Sequence, residues 1–170
     1  MDGGSEPQMD CLIRPLRPED IARIEDIAVA AWAPIYEHYQ ELQQQALGAV
    51  ARPARLESKR QQVRDFATSH PDWVLVSELS GEVVGFITYT FDREHKIGVI
   101  GNNAVAPEHC GKGIGSKQYA KVLEIFRAQG MIFAAVTTGL DDAHAPARRA
   151  YEKAGFVPVF RHVEYMRRLS

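Results

Sequence analysis

The stretch that decides the fold is VAPEHCGKGIGS, residues 105–116, which runs directly into an amphipathic segment ending near residue 129. Residues 97–105 before it predict a buried strand, and the apolar residues after it repeat with helical spacing. The stretch therefore predicts a glycine-rich turn between a strand and a helix. Gly111, Gly113 and Gly115 let the backbone approach a ligand at the positive end of that helix, where a phosphate group is stabilised.

Two common phosphate-binding loops do not match this spacing. The ATP-binding loop needs a glycine, four residues and then Gly-Lys-Ser/Thr, and no such string occurs. The dinucleotide fingerprint needs a third glycine at position 116, where Ser116 stands. We interpret the stretch as a pyrophosphate site of another kind. A tight strand-to-helix turn without a ligand stays open as the alternative at this point.

The composition is that of one ordinary globular domain. The chain has 170 residues, of which 45% are hydrophobic and 25% charged. A net charge of -2, without a run of lysine or arginine, gives no reason to expect nucleic-acid binding. Cys11 and Cys110 form neither a disulfide framework nor a metal-ligand cluster, which predicts a reducing compartment.

The first residues lack the features of a secretory signal. They carry acids and glycines where such a signal has basic residues followed by an apolar core. No apolar run approaches the roughly 18 residues of a membrane span. We expect a cytoplasmic protein that does not contact a membrane, with a disordered leader at residues 1–8 and a single domain over residues 9–170.

Periodicity predicts the remaining elements. Strands are expected at residues 11–15, 73–79, 82–91, 97–105, 132–138, 156–162 and 164–169. Helices are expected from about residue 20 to Pro34 and from 33 to 47, with the second at an angle to the first. Further helices are expected from 56 to 69, from the glycine-rich turn to about 128, and from about 144 to Gly155. The strand at 132–138 is wholly apolar, which predicts cover on both faces. This order indicates a mixed α/β layer architecture with the glycine loop at the carboxyl end of a central strand.

Two motifs carry a resemblance to a known family. Residues 105–116 resemble the acyl-CoA loop of the GCN5-related N-acetyltransferases (GNAT), Gln/Arg-x-x-Gly-x-Gly/Ala after a strand ending Val-x-Pro; Cys110 occupies the Gln/Arg position. Residues 147–156, ARRAYEKAGF, resemble the family helix Asn-x-x-Ala-x-x-x-Tyr-x-x-x-Gly-Phe, with His144 in the Asn position. The resemblance implies the GNAT fold, a mixed and mostly antiparallel central sheet flanked by helices.

The resemblance also implies acetyl-CoA as acyl donor and no metal. Tyr151 would be the general acid that protonates the departing thiolate, and the alternative is a core tyrosine with a satisfied hydroxyl. Adjacent asparagines at 102–103 fit a splay that admits the pantetheine arm, or an ordinary bulge. His144 would cap its helix or touch the donor. The implied donor-binding residues are Asn103, Ala104, Val105, Cys110, Gly111, Lys112, Gly113, Ile114, Gly115, Ser116 and His144.

The acceptor and the general base are less defined. Trp32 and Tyr36, near Pro34, are expected either to line an acceptor pocket or to belong to the core. No carboxylate lies within residues 97–105, so the base is open among Glu37, His38, Glu41, His70, Glu82, His95 and water. By resemblance the chain is an acetyltransferase of the phosphinothricin or aminoglycoside type. The resemblance implies that it acetylates a primary amine of a small molecule by direct attack in a ternary complex. It also suggests a homodimer. The alternatives are a non-catalytic acyl-CoA-binding module and an acetyltransferase of protein amines.

Overall fold

The chain folds into a five-stranded sheet with helices on both faces. A computed structural model describes residues 11–53 and 55–169. The leader expected at residues 1–8 lies outside the described residues. The strands are β1 (Leu12–Pro15), β2 (Val74–Leu79), β3 (Glu82–Asp92), β4 (Ile97–Val105) and β5 (Phe133–Val136). The helices are α1 (Ile21–Leu47), α2 (Leu56–Ser69), α3 (Ile114–Ala128) and α4 (Ala145–Lys153).

The strands lie in the sheet in the order in which they occur along the chain, β1-β2-β3-β4-β5. The first three pairings are antiparallel, and β4 and β5 pair in parallel. Helix α3 makes the crossover that a parallel pair requires. The expected mixed, mostly antiparallel sheet is therefore confirmed.

Alternating residues of the sheet divide the core into two layers. Val76 and Phe86 pack with Ile24, Ile27 and Val63 beneath α1 and α2. The neighbouring sheet residues Leu75 and Ile87 belong to the layer beneath α3 and α4, which also contains Ile100, Val122 and Phe126. Because successive side chains of a strand point to opposite faces, each strand serves both layers. The two faces of β4 therefore lie in two different core layers.

The helix break expected at Pro34 is wrong. Helix α1 runs without interruption from Ile21 to Leu47 with Pro34 inside it. Proline removes one backbone hydrogen bond to the carbonyl of the residue four positions earlier, here Ala30. Both Pro34 and Ala30 are exposed, so water can reach that carbonyl. The aromatic residues around Pro34 therefore lie along one continuous helix.

The expectation that the strand near residue 133 is covered on both faces is also wrong. Phe133 is 65% exposed and Ala135 is exposed, whereas Ala134 and Val136 pack into the layer beneath α3 and α4. The helices on the opposite side cover the earlier strands instead. A run of apolar residues alone therefore did not distinguish one covered face from two.

The two strands expected at residues 156–162 and 164–169 are not found. Residues 156–169 belong to no strand, and most of their side chains are exposed, including Phe160 at 81% and Tyr165 at 91%. A β-prone sequence forms a strand only where a neighbouring strand accepts its backbone hydrogen bonds. In the described part of the chain β5 pairs only with β4.

Candidate active site

The glycine loop leads from the end of β4 into α3. Gly111 and Gly113 both have a φ of +79°, and Gly113 is the residue that precedes the helix. Side chains other than glycine rarely adopt this conformation, so the turn itself requires glycine at both positions. The backbone amides of residues 111–116 donate no hydrogen bond to any other described residue. The predicted glycine-rich strand-to-helix turn is confirmed, with free amides at a helix N-terminus.

Gly115 is not explained by the fold. It lies in the first turn of α3, it has no positive φ, and a Cβ placed on it would be 3.9 Å from the ring of Tyr119, an ordinary contact. Alanine would favour the helix more than glycine does. A glycine at this position therefore suits close approach from outside the chain. Free amides together with open space fit the diphosphate of an acyl-CoA.

The side chains of the loop serve different purposes. Ile114 is 3% exposed and packs into a small cluster with Cys11, Leu79 and Val84, so only its amide is available to a ligand. Gly111, Lys112 and Gly113 are exposed, and Ser116 is half-buried. Lys112 Nζ lies 3.5 Å from His109 Nδ1.

Cys110 is an exposed residue whose Sγ lies 3.7 Å from the carbonyl oxygens of both Val105 and Ala106. Partial burial of the thiol and the nearby Glu108 carboxylate raise the pKa of Cys110. The side chain therefore folds back onto the end of β4 rather than extending over the loop.

Strand β4 has a β-bulge near Asn102 and Asn103, and its pairing with β5 ends just before these residues. Its pairing with β3 shifts register between Ile87 and Tyr89, which leaves Gly101 and Asn102 opposite Thr88. Its pairing with β5 ends at Ile100 and Val136, so residues 101–105 have no strand partner on that edge within the described chain. The asparagine pair therefore forms the expected bulge, and the splay that would admit a pantetheine arm stays a prediction. The gap is a place where an extended ligand can add to the sheet edge.

One face of β4 presents Asn103 to two buried tyrosines. Asn103 Nδ2 donates to the Tyr151 hydroxyl at 3.0 Å, and the Tyr119 hydroxyl donates to Asn103 Oδ1 at 2.9 Å. Tyr151 also lies 3.4 Å from Asn103 Oδ1. The rings of Tyr119 and Tyr151 are 5.2 Å apart. This network ties α3 and α4 to β4 at the point where β5 leaves it.

Both phenols in this network are neutral near pH 7. Burial raises the pKa of Tyr119 far above its ordinary value, and the adjacent Tyr151 adds to this effect. Burial also raises the pKa of Tyr151, although its hydrogen bond with Asn103 opposes the shift. A neutral phenol keeps the proton that a general acid has to donate. Tyr151 is 7% exposed and packs with Phe156, so it also belongs to the core.

The opposite face of β4 presents Asn102 to a buried lysine. Lys59 Nζ, from α2, donates to Asn102 Oδ1 at 3.1 Å and to Gln62 Oε1 at 2.7 Å. The same ammonium lies 4.4 Å from the centre of the Trp32 ring. Asn102 and Gln62 also line an open cleft of about 610 Å³ along α2, with Ser58, Gln61, Asp65, Phe66 and Ser69.

His144 lies at the start of α4 but does not cap it with its side chain. Its Nδ1 is 2.9 Å from both carboxylate oxygens of Asp141, and its ring stacks on Tyr39 at 5.9 Å. Burial of Asp141 would raise the pKa of that carboxyl, but hydrogen bonding with His144 holds it below the usual value. His38 Nε2 lies 4.0 Å from Asp141 on the side of α1. Asp141 thus joins the segment after β5 to α1.

The remaining predicted residues fall into separate groups. Trp32 packs against the α1–α2 core layer and Lys59, and Tyr36 is half-buried on the same helix with a pKa raised by burial. Three of the possible bases are occupied elsewhere. Glu82 pairs with Arg23, His95 binds Asp92, and His70 stacks between Phe66 and Trp73. Glu37 and Glu41 are exposed on α1.

Sequence reasoning missed two side chains of this region, Lys59 and Tyr119. Lys59 lies on the apolar stripe of its helix, at helical spacing from Leu56 and Val63, and a lysine in such a position is a detectable signal. Tyr119 lies at an apolar position of the helical pattern that follows the glycine loop, which by itself predicts only packing. Its hydrogen bond to Asn103 depends on how α3 crosses β4, which no local pattern shows.

Among residues 11–53 and 55–169, no group of three or more His, Cys, Asp or Glu side chains is arranged to hold a metal ion. None of the helices in the described chain combines the length and the apolar character that crossing a membrane requires.

Comparison with known proteins identifies the family. The model of the Acetyltransferase (GNAT) family matches residues 32–156. An uncharacterized N-acetyltransferase from Archaeoglobus fulgidus is 40% identical over 58 residues, which are 31% of this chain and 40% of that protein. The match thus spans two fifths of that relative's length.

Solved structures support the fold. Ard1 from Thermoplasma volcanium aligns with a TM-score of 0.64 and 23% identity, covering 88% of this chain and 84% of that one. A GNAT family acetyltransferase from Brucella melitensis, solved in complex with acetyl-CoA, aligns with a TM-score of 0.61 and 23% identity over the same shares. The chain belongs to the GNAT acetyltransferase family, a class of enzymes that take their acyl group from acetyl-CoA.

Proposed function

We propose that this chain transfers the acetyl group of acetyl-CoA to a primary amine of a small molecule, by direct attack within a ternary complex. The observation that carries the proposal is the position of the Asn103–Tyr151 hydrogen bond. It lies where β4 loses β5 as a neighbour and where the glycine loop begins a few residues further on. A neutral proton donor, an open strand edge and free helix amides therefore lie along one path.

The donor would lie along that path. Among the described residues, the backbone of Asn103, Ala104 and Val105 has no strand partner on the β5 side, and it would pair with the amide groups of the pantetheine arm. The amides from Gly111 to Ser116 would bind the diphosphate. His144, held by Asp141 in the segment after β5, would contact the donor.

Tyr151 would supply the proton for the leaving group. The donor brings a thioester, whose carbonyl carbon accepts the amine while the sulfur leaves as a thiolate, and the proton that the nitrogen loses would pass to water or to one of the possible bases. Because burial keeps the Tyr151 phenol protonated, its hydroxyl can donate to that sulfur. Asn103 orients the hydroxyl by donating to its oxygen at 3.0 Å, and the phenolic hydrogen would leave its longer contact of 3.4 Å to Asn103 Oδ1 when it is donated to the sulfur.

The acceptor would enter from the layer of α1 and α2. Trp32 and the half-buried Tyr36 lie on α1, and the cleft along α2 reaches Asn102 on the opposite face of β4 from Tyr151. Amine and proton donor would therefore approach the thioester from two sides.

The test is a screen of amines for turnover with acetyl-CoA. The CoA thiol that turnover releases is detected by its reaction with a chromogenic disulfide reagent. We expect at least one class of small primary amine to give turnover with acetyl-CoA. Gly113→Asp, which places a side chain and a negative charge where the diphosphate would bind, should abolish acetyl-CoA binding, measured by calorimetry. A folded Gly113→Asp protein that binds acetyl-CoA as tightly as the parent would contradict the assigned loop.

We also propose that residues 9–170 act as one catalytic domain in the cytoplasm and that two copies form a homodimer. Two features support association: the edge of β5 that pairs with no other described strand, with Ile132 and Phe133 each 65% exposed, and the exposed apolar residues of segment 156–169. Sedimentation equilibrium of the whole chain tests this proposal. A mass of 19.0 kDa at every concentration would contradict it.

A further inference from the structure

Lys59 is the one buried charge in the described chain that lacks an opposite charge. Four charged residues are buried there, namely Arg14, Asp20, Glu25 and Lys59. Arg14 pairs with Asp20 at 2.7 Å, and Glu25 pairs with Arg64 at 2.7 Å. Lys59 is 8% exposed, yet its ammonium has only the neutral oxygens of Gln62 and Asn102 and the face of Trp32.

Such an arrangement is unfavourable for the fold by itself. Removing an ammonium from water is compensated well only by an anion with good geometry. Burial accordingly lowers the pKa of Lys59. A lysine that merely covers apolar surface with its stem keeps its head group in water, which a residue with 8% exposure scarcely does. The chain thus maintains a desolvated cation whose anion is not supplied by the described residues.

The position of this cation connects it with the acceptor side of the candidate active site. Its partner Asn102 lies two residues beyond Ile100, the last β4 residue that pairs with β5. Its other partner, Gln62, lines the cleft along α2 together with Asn102. The cleft includes one carboxylate, Asp65, which accepts a hydrogen bond from Gln61 at 2.7 Å and forms no ion pair with Lys59.

We infer that Lys59 binds an acidic group of the acceptor, so that the substrate is an amine that also carries a carboxylate or phosphonate. This inference rests on the proposed function and specifies its substrate class. An acid entering beside Trp32 would complete the ion pair and would hold its amine near the end of the β4–β5 pairing. Polycationic amines are disfavoured by the same charge, because bringing a second cation next to a desolvated ammonium is repulsive.

The test uses matched pairs of acceptors. Amino acids, the corresponding amino acid amides and the aminophosphonate analogues are compared by kcat/KM for CoA release. We expect kcat/KM for the acids to exceed that for their amides by roughly 10- to 100-fold, which corresponds to the energy of a hydrogen bond to a charged group. In Lys59→Gln the acids should lose that advantage through a higher KM, while the amides change little. Lys59→Arg should retain part of it.

Lys121→Gln is the matched control. Lys121 is an exposed lysine of α3 that pairs with Glu124 at 3.1 Å, on the other side of the sheet from the cleft. This variant should keep the parent preference for acids. Unchanged acetyl-CoA affinity establishes that Lys59→Gln is folded, and Lys59→Met serves as the second variant. Equal kcat/KM for acids and amides in the parent would overturn the inference while leaving the acetyltransferase proposal intact.

A binding measurement separates the two proposals if no amine turns over. The melting temperature of the CoA-loaded chain is measured with an acidic amine and with its amide. A rise with the acid alone, absent in Lys59→Gln, supports the anion site even though the proposed reaction fails. Equal shifts for acid and amide, or no shift with either, overturn the anion site.

Discussion

Asn102 and Asn103 are adjacent residues of β4 that face two different chemical environments. Asn103 contacts two neutral phenols, Tyr119 and Tyr151, in the layer beneath α3 and α4. Asn102 contacts the ammonium of Lys59 in the layer beneath α1 and α2. One strand thus separates a side that can donate a proton from a side that can hold a charge. Under the proposed function, the leaving group and the acceptor would therefore be handled by different helices.

The two sides also differ in how completely their polar groups are satisfied. On the Asn103 side, each phenol finds its partner within the chain and burial keeps both protonated. On the Asn102 side, the ammonium has neutral partners only. A satisfied network holds a fixed geometry, whereas an incompletely satisfied charge is open to a ligand. Substitutions on the two sides should therefore give different kinetic signatures.

The largest effect is expected for Tyr151→Phe. The ring remains and only the proton donor is lost, so kcat should fall roughly 10²- to 10³-fold while acetyl-CoA binding persists. Steady-state kinetics with acetyl-CoA varied, together with calorimetric titration, would measure both quantities. Tyr89→Phe is the matched control, because this buried tyrosine donates to Asp72 O at 3.0 Å in another part of the same layer. An unchanged kcat in Tyr151→Phe would reduce Tyr151 to a packing residue.

The next effect separates the two asparagines directly. Asn103→Ala removes the group that orients Tyr151 and leaves two buried hydroxyls without their partner. We expect kcat to fall about 10- to 100-fold and the free energy of unfolding to fall by about 1–3 kcal/mol. Asn102→Ala should instead raise the KM of the acceptor and change kcat only slightly. The same kinetic change in both variants would remove the distinction between the two faces.

Tyr119→Phe should have a smaller effect on the same side. It deletes one of the hydrogen bonds to Asn103 Oδ1 but leaves the Asn103–Tyr151 contact in place. A net hydrogen bond is worth about 0.5–1.5 kcal/mol, so kcat should fall roughly 2- to 10-fold. The measurement is kcat at saturating acetyl-CoA and acceptor. A loss as large as that of Tyr151→Phe would make Tyr119 the better candidate for the acid.

The smallest effect concerns stability on the Asn102 side. Lys59→Met removes a desolvated charge and keeps the length of the side chain, and water in the cleft can reach Asn102 and Gln62. At neutral pH the free energy of unfolding should stay within about 1 kcal/mol of the parent or rise slightly, measured by urea denaturation. Lys121→Met provides the exposed comparison. A loss above about 2 kcal/mol would mean that Lys59 is a structural cation.

The same variant has a pH dependence of definite sign. Because burial lowers the pKa of Lys59 in the folded chain below the 10.5 of an unperturbed lysine, the unfolded state binds more protons in the interval between the two values. The stability of the parent relative to Lys59→Met should therefore increase as the pH rises through that interval. Below this pH interval Lys59 is protonated in both the folded and the unfolded state, and the folded state carries the full cost of desolvating the ammonium. A relative stability that falls with rising pH would contradict the lowered pKa.

The sequence was sufficient where the signal is local. The spacing of Gly111, Gly113 and Gly115 between a strand pattern and a helix pattern predicted both the turn and the start of α3. These features depend on backbone conformation over a few residues, which the residue types themselves constrain.

Features that depend on tertiary neighbours were not predictable in the same way. Pro34 was expected to break the helix, but its effect depends on whether the freed carbonyl meets water. Residues 156–169 have strand-like sequence, but a strand needs an adjacent strand. Lys59 interrupts an apolar stripe, but its significance depends on the absence of a carboxylate around it in three dimensions. In each case the deciding fact is what lies next to the residue.

The position of the Cys110 thiol has a consequence for the redox behaviour of the molecule. The thiol folds back onto the carbonyls that end β4, and its pKa is raised, so at neutral pH it is present almost entirely as the protonated form. Thiolates, not thiols, attack disulfides. A CoA disulfide formed by oxidation of the free CoA that a transferase releases would therefore exchange slowly with Cys110. If the loop binds CoA as proposed, its cysteine would resist covalent capture by the oxidised product.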